Sequence, residues 1–391
     1  MLQPLDIDPS PYHISAKLND PYYDQWENVI ANLPRLLEHG IARTTIDRIS
    51  ILSTDRLSSE PMWRRAYVVL SFLAQAYTWG AEVASDTLPL SIVRPLMEVA
   101  QYFQVQPCAT FAAFCLWNFS VPKSGPEDVE TCLAQPDNLS TIASFTGTQD
   151  ESWFFSISNA IEARGGQIIP PLLNALRAVQ SNDLSQLEEF LQEICTSLEE
   201  ICLTLMRMSE QCEPSVFYHQ LRPMLCGSRD VTSIGRPKGV CYPNGGDSNA
   251  QSSTIQLFDI ILGIHHEAAE TEAAFGGSQA KYLEEMRHYM PGPHRKFLEL
   301  MEEKCNIREF VLIQAHNTEV QRLYRSAVLK LRSVRDAHLS IVSRYVIVPA
   351  MREREPRCDP GGDDLTGTGG TEIMSFLRNR RDETDAASRV C

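Results

Sequence analysis

The stretch EVQRLYRSAVLKLRSVRDAHLSIVSRYVIVPA, residues 319–350, runs to Pro349 without an internal proline or glycine. Its apolar residues recur at Val320, Leu323, Ala327, Leu331, Val334, Ile341 and Tyr345, in steps of three and four. That spacing marks the inner stripe of one long α-helix, which the rest of the chain must cover. His338 occupies the stripe where the pattern calls for leucine. A neutral imidazole there needs a partner for each ring nitrogen, since an unsatisfied buried polar group costs ~1–3 kcal/mol. Two solutions are open. A metal takes one nitrogen and a hydrogen-bond acceptor the other, or backbone carbonyls satisfy a purely structural histidine.

Long periodic segments dominate elsewhere too, and strand-like alternation is scarce. The pattern predicts helices over 22–38, 61–79, 91–104, 108–119, 152–164, 170–178, 183–209, 214–224, 251–269, 278–288, 292–303, 318–347 and 371–381. Proline, glycine, asparagine and aspartate punctuate them, as in SVPKSGPEDVE and GRPKGVCYPNGGDSN. An all-α architecture follows. At 391 residues the chain suits two domains or one large helical one. A composition shift near Val121–Asp128 suggests a small N-terminal helical domain, 1–121, and a large helical domain, 122–391. Residues 351–371, rich in Gly, Asp and Arg, read as a mobile loop.

A net charge of −15 argues against nucleic acid and against anionic membranes as partners. No run approaches the ~18 apolar residues of a membrane span, and MLQPLDIDPSPYHIS has no signal-peptide pattern, so a cytoplasmic location is expected. The eleven cysteines are scattered and none forms CxxC, which removes structural zinc and iron–sulfur sites of the usual spacing. They read as reduced thiols acting as small hydrophobes. His265-His266-Glu267 is not HExxH, and adjacent helical histidines diverge by some 100°, so no zinc site follows.

Four segments carry residue types able to enclose a flat apolar cofactor and a small amphiphilic ligand. His338 has Arg335 one turn earlier on the same side. Gly245 and Gly246 permit close backbone approach, followed by Asp247, Ser248, Asn249 and a capped helix. In that helix Asp259 sits among Leu257, Phe258, Ile260 and Ile261; its carboxylate needs either the free N–H of a ligating histidine or an arginine. In FYHQLR, Tyr218 and Arg222 are four apart, as are Phe217 and Leu221, placing aromatic faces and a guanidinium on one side of a helix. That pairing suits a ligand with an aromatic ring and a carboxylate, or else is an ordinary amphipathic helix. Phe154 and Ser158, also four apart, belong to an aromatic cluster that serves a pocket or simply core.

Together these segments resemble the indoleamine 2,3-dioxygenase family, haem enzymes that open the indole ring of tryptophan. The resemblance runs from about Tyr22 to Thr384 and rests on GGDSNAQSSTIQLFDIILGI, YMPGPHRKFLELME, LRSVRDAHLSIVSRYVIVPA and GTGGTEIMSFLRNRR, in the family's order. DPYYDQWE is similar to the fungal branch.

The resemblance implies a haem b cofactor, ferrous in the active state, with His338 as proximal iron ligand and Asp259 as its acceptor region. It implies Phe154 and Ser158 in the distal pocket, and Phe217, Tyr218 and Arg222 as aromatic pair and carboxylate-binding arginine. Phe111 stands where tyrosine is common, with Phe114 and Cys115 following in the distal wall. Ser248 and Asn249 match the pocket loop, Arg335 an arginine near the haem propionates, and Thr368 a loop that closes over substrate. The implied partners are L-tryptophan or a related indole and O2, acting on a monomer, with N-formylkynurenine as product. Asp247 in place of a common glycine, and Tyr218 in place of a common phenylalanine, keep open a low-activity haem-binding paralogue or sensor acting on another indole.

Overall fold

The predicted long helix forms over Thr318–Val342. Asn317 caps it, its side chain accepting from the backbone N–H of Glu319 and Val320 at 3.0 and 3.1 Å, which satisfies two of the four orphan donors. Its buried stripe packs against the helix Leu184–Met206, whose inner face carries Leu187, Phe190, Leu191, Ile194 and Leu198, and against the C-terminal helix Ile373–Ser388. Each fully buried aliphatic side chain in such a seam contributes ~1.5–3 kcal/mol.

The computed structural model describes residues 17–121, 129–227, 232–233, 249–266, 279–314, 316–353 and 373–388. Among these the chain is all-α apart from a two-residue parallel pair, Thr87–Leu88 with Thr232–Ser233, and a single bridge between Ser120 and Ser140. The expected helix over 22–38 breaks into Asp24–Ala31 and Leu33–Glu38, because Pro34 brings no N–H and starts a new first turn. The helix expected over 251–269 is Ser253–Ile261. Gly263 takes φ +55° and Ile264 N donates back to Asp259 O at 2.9 Å, a left-handed stop that the glycine makes cheap.

Three segments wind as π-type turns: Ala112–Leu116, Phe217–Leu221 and Ser343–Ile347. In each the following N–H reaches five residues back, as Trp117 N does to Ala112 O at 3.0 Å. Such turns are rare and concentrate at functional sites.

Two large apolar cores interleave along the chain. One joins residues 18–117 to 143–157, 208–225 and 342–346; the other joins 168–201, 257–334 and Ala387. The composition shift near residue 121 therefore does not separate the cores. Helix Gln149–Gly166 lies near their junction, N-capped by Thr148 and crossing helix Ser253–Ile261 closely. A Cβ on Gly165 would sit 2.0 Å from Thr254 Cγ2, so only glycine allows that crossing.

Candidate active site

Between the two cores lies a cavity with about 1850 Å³ of unfilled space, counting its open mouth. His338 reaches it from the long helix. The ring is enclosed by protein yet keeps accessible surface, as a group facing an internal cavity does. Burial pushes its pKa down to about 4, so the imidazole is neutral at physiological pH and keeps a lone pair. Its Nε2 lies 3.2 Å from Asn249 Nδ2, whose amide donates to that lone pair. Asn249 opens the short turn Asn249–Gln251, held in place where Phe111 N donates to Gln251 Oε1 at 2.9 Å.

The cavity lining has two chemically distinct walls. One is aromatic: Phe154 and Phe217 lie 5.1 Å apart between ring centroids, and Phe217 meets Tyr345 edge-on at 5.7 Å. Phe111, Ser158 and Arg222 also line the cavity. The Ser158 hydroxyl donates to Phe154 O at 3.3 Å. The Arg222 guanidinium stands 5.4 Å above the Tyr218 ring, a cation–π support that orients it. Tyr218 itself stays behind the lining. Phe114 and Cys115, expected in the wall, are fully buried behind it: Phe114 packs on Phe72, Phe145 and Phe155. Only Phe111, just before the first π-type turn, faces the cavity.

The other wall is charged. Arg335 and Arg380 line it, both over nine-tenths buried and both bound to Asp259. Arg335 Nη2 binds Asp259 Oδ1, and Arg380 Nη2 lies 2.5 Å from Oδ2. His266 Nε2 approaches the same Oδ2 at 3.2 Å, while its Nδ1 meets Glu383 at 2.5 Å. Burial alone would raise the Asp259 carboxyl, but the two guanidiniums and His266 hold it well below the usual carboxylate range. Asp259 is thus no acceptor for His338; of the two partners open to it, arginine is the one it has. Its two oxygens are turned to Arg335, Arg380 and His266.

Glu162, one turn beyond Ser158, is a cavity residue with no signal in the motifs above. Burial raises its carboxyl, which accepts from the Ser252 hydroxyl and from Thr254 Oγ1 at 2.8 Å. The four-residue step Phe154, Ser158, Glu162 was the available clue. Asp247, Ser248 and Thr368 lie outside the described residues.

A single neutral imidazole, apolar walls and paired buried guanidiniums fit a flat chelated metal bearing carboxylates. Among the described residues no group of three or more His, Cys, Asp or Glu could hold a bare ion, so the chelate must bring its other ligands itself. Haem meets that requirement.

The sequence profile of indoleamine 2,3-dioxygenase matches residues 10–387. The chain belongs to the indoleamine 2,3-dioxygenase family. Its relatives include an indoleamine 2,3-dioxygenase, nanC, of Aspergillus nanangensis, 45% identical over 98% of both chains. The indoleamine 2,3-dioxygenase of Saccharomyces cerevisiae is 37% identical over 96% of this chain and 90% of the relative. A 6-hydroxytryptophan 2,3-dioxygenase, fscD, of Fusarium equiseti is 34% identical over 94% and 91%. This dioxygenase is therefore an enzyme of a haem-dependent, all-helical family acting on indoles with O2. Among its described residues no helix is long and apolar enough to cross a membrane.

Proposed function

We propose that this dioxygenase inserts O2 across the C2–C3 bond of tryptophan, giving N-formylkynurenine, with haem b held by His338. Both oxygen atoms enter the product, one on C2 and one on C3, so turnover consumes no external reductant. Bound haem supplies a redox-active ferrous iron at which dioxygen is activated.

The protein's part is binding and orientation. His338 is neutral because burial keeps the proton off it at neutral pH, and its Nε2 lone pair, which otherwise accepts from Asn249, is the one that would hold the iron. Phe154, Phe217 and Phe111 offer flat apolar surface to an indole and exclude water. Arg222, supported on Tyr218, is placed to fix a carboxylate. Ser158, whose proton goes to Phe154 O, offers an acceptor rather than an acid. His338 is the cavity's one lining histidine among the described residues, which leaves no lining imidazole to act as a general base.

The observation that carries this reading is the neutral His338 lining the same cavity as Phe154, Phe217 and Arg222. The test is anaerobic reduction of the haem-loaded protein, then tryptophan and O2, following formylkynurenine absorbance. A haem-loaded protein that forms no product would leave only the paralogue or sensor. The printed activity of the Fusarium relative supports a second reading, a ring-hydroxylated tryptophan as preferred substrate. Competition between tryptophan and 6-hydroxytryptophan in one reaction separates the two.

A further inference from the structure

We infer that Arg380 of the C-terminal helix binds a carboxylate in the cavity, and that this carboxylate belongs to the cofactor and not to the substrate. The inference rests on the haem-dioxygenase reading above.

Arg380 is 6% exposed and lines the cavity. Its Nη2 is spent on Asp259, but Nη1 is shut away from solvent and has no hydrogen-bond partner among the described residues. Asp259 does not serve it: Oδ1 accepts from Arg335, and Oδ2 from Arg380 Nη2 with His266 alongside. Glu383, the next carboxylate, is engaged with His266. Two buried guanidiniums thus hydrogen-bond to one carboxylate, the Glu383 charge lies nearby, and one donor of the wall, Arg380 Nη1, is left over. Burial pulls the Arg380 guanidinium down to about 10, still charged at neutral pH, which shows that its neighbours only partly offset the loss of water. An anion supplied from the cavity would give Nη1 its hydrogen bond and further offset the lost hydration.

Position selects the cofactor. Arg335 lies one turn before His338, and its Nη1 donates to Arg380 O at 2.7 Å, so both cations stand on the His338 side. Arg222, the candidate for the substrate's carboxylate, belongs to a different element beside Tyr218. Haem carries two propionates, and this wall offers two cations. Arg380 is then the second carboxylate donor of the cofactor site, and haem binding secures the C-terminal helix.

The experiment titrates haem-free protein with haem and with haem dimethyl ester, whose carboxylates are blocked, following the Soret band. Arg380→Gln and Arg380→Met should bind haem about ten- to a hundredfold more weakly than the native chain. For the ester, native and variant affinities should agree within about threefold. Tryptophan affinity of the haem-loaded variants should also change by less than about threefold.

Equal weakening for haem and ester would overturn the inference and leave Arg380 a structural residue. Unchanged haem affinity with weakened tryptophan but not tryptamine binding would assign it to the substrate's carboxylate instead. Should both variants fail to fold by far-UV circular dichroism, Arg380→Lys keeps the ion pair with Asp259 but loses the free Nη1. It must then show the same haem-selective loss, or the inference fails. Absence of any Soret band from the native chain would defeat the functional reading itself.

Discussion

The two walls of the cavity solve opposite problems. The aromatic wall is built from Phe154, Phe217 and Tyr345, which gain by leaving water and need no partner. The charged wall buries Arg335, Arg380, Asp259 and His266, each of which loses hydration and is tolerable only through the others. An apolar wall can lose one contact and keep its shape, whereas an ion cluster that loses one member strands the rest. Damage to the aromatic side should therefore appear in substrate handling, and damage to the charged side in stability and cofactor retention.

Five experiments test that division, the largest effect first. His338→Ala should abolish stable haem binding, since no other described histidine lines the cavity. A normal five-coordinate ferrous spectrum in that variant, without added imidazole, would show that the iron ligand lies elsewhere. Asp259→Asn removes the anion shared by two buried guanidiniums and should destabilise the fold by ~3–5 kcal/mol, read by denaturant unfolding of the haem-free chain. A loss below ~1 kcal/mol would mean that water already reaches the cluster.

On the other wall, Arg222→Ala should raise the tryptophan KM about ten- to a hundredfold, the value of ~1.5–3 kcal/mol in a charged hydrogen bond. Tryptamine, lacking the carboxylate, should barely respond, and unfolding midpoints should hardly move. Equal losses for both substrates would make Arg222 structural.

The fourth concerns pH. His338 in the unfolded chain takes a proton near its ordinary 6.5, but in the fold only near 4. Its stabilising contribution is complete above 6.5 and is lost as pH falls from 6.5 towards 4. Asp259 is also held below its ordinary value, so its share persists above about 3.8 and fails below it. Acid unfolding of the haem-free chain should thus begin between pH 6.5 and 4 and steepen below. In the His338→Leu variant the upper window should shrink without vanishing, because burial also pushes His294 down to about 4. The smallest effect is expected of Ser158→Ala, less than about tenfold in kcat, because the hydroxyl's proton is committed to Phe154 O. A hundredfold loss would make Ser158 a participant in proton movement.

Much of this was legible because periodicity and chemistry coincide. The stripe from Val320 to Tyr345 announced both the long helix and the odd place of His338 within it. Phe154 and Ser158 sit at helical spacing, whereas Phe217 and Arg222 are five apart across a π-type turn; all four line one cavity. Asp259 was recognisable as a buried charge, but its partners come from residues 266, 335 and 380, and sequence distance says nothing about such contacts. His266 looked inert for the same reason. Phe114 and Cys115, put in the distal wall by the resemblance alone, lie outside the lining in a segment, Ala112–Leu116, that winds as a π-type turn. Arg378, Arg380 and Arg381 have the pattern of a solvated basic helix end, yet Arg380 is almost wholly enclosed.

Those π-type turns carry a further consequence. Each holds one residue more than an α-turn would, and one residue advances everything after it by about 100° around the helix axis. Deleting a single codon within Phe217–Leu221 would let the segment relax to ordinary α-geometry and swing Arg222 off the cavity face. The same deletion within Ser343–Ile347 would remove Val346 from its place beside Tyr345. The cavity is encoded in how many residues the chain has at these points as much as in which ones. In a deep mutational scan, in-frame deletions here should abolish function where many substitutions of the same residues survive.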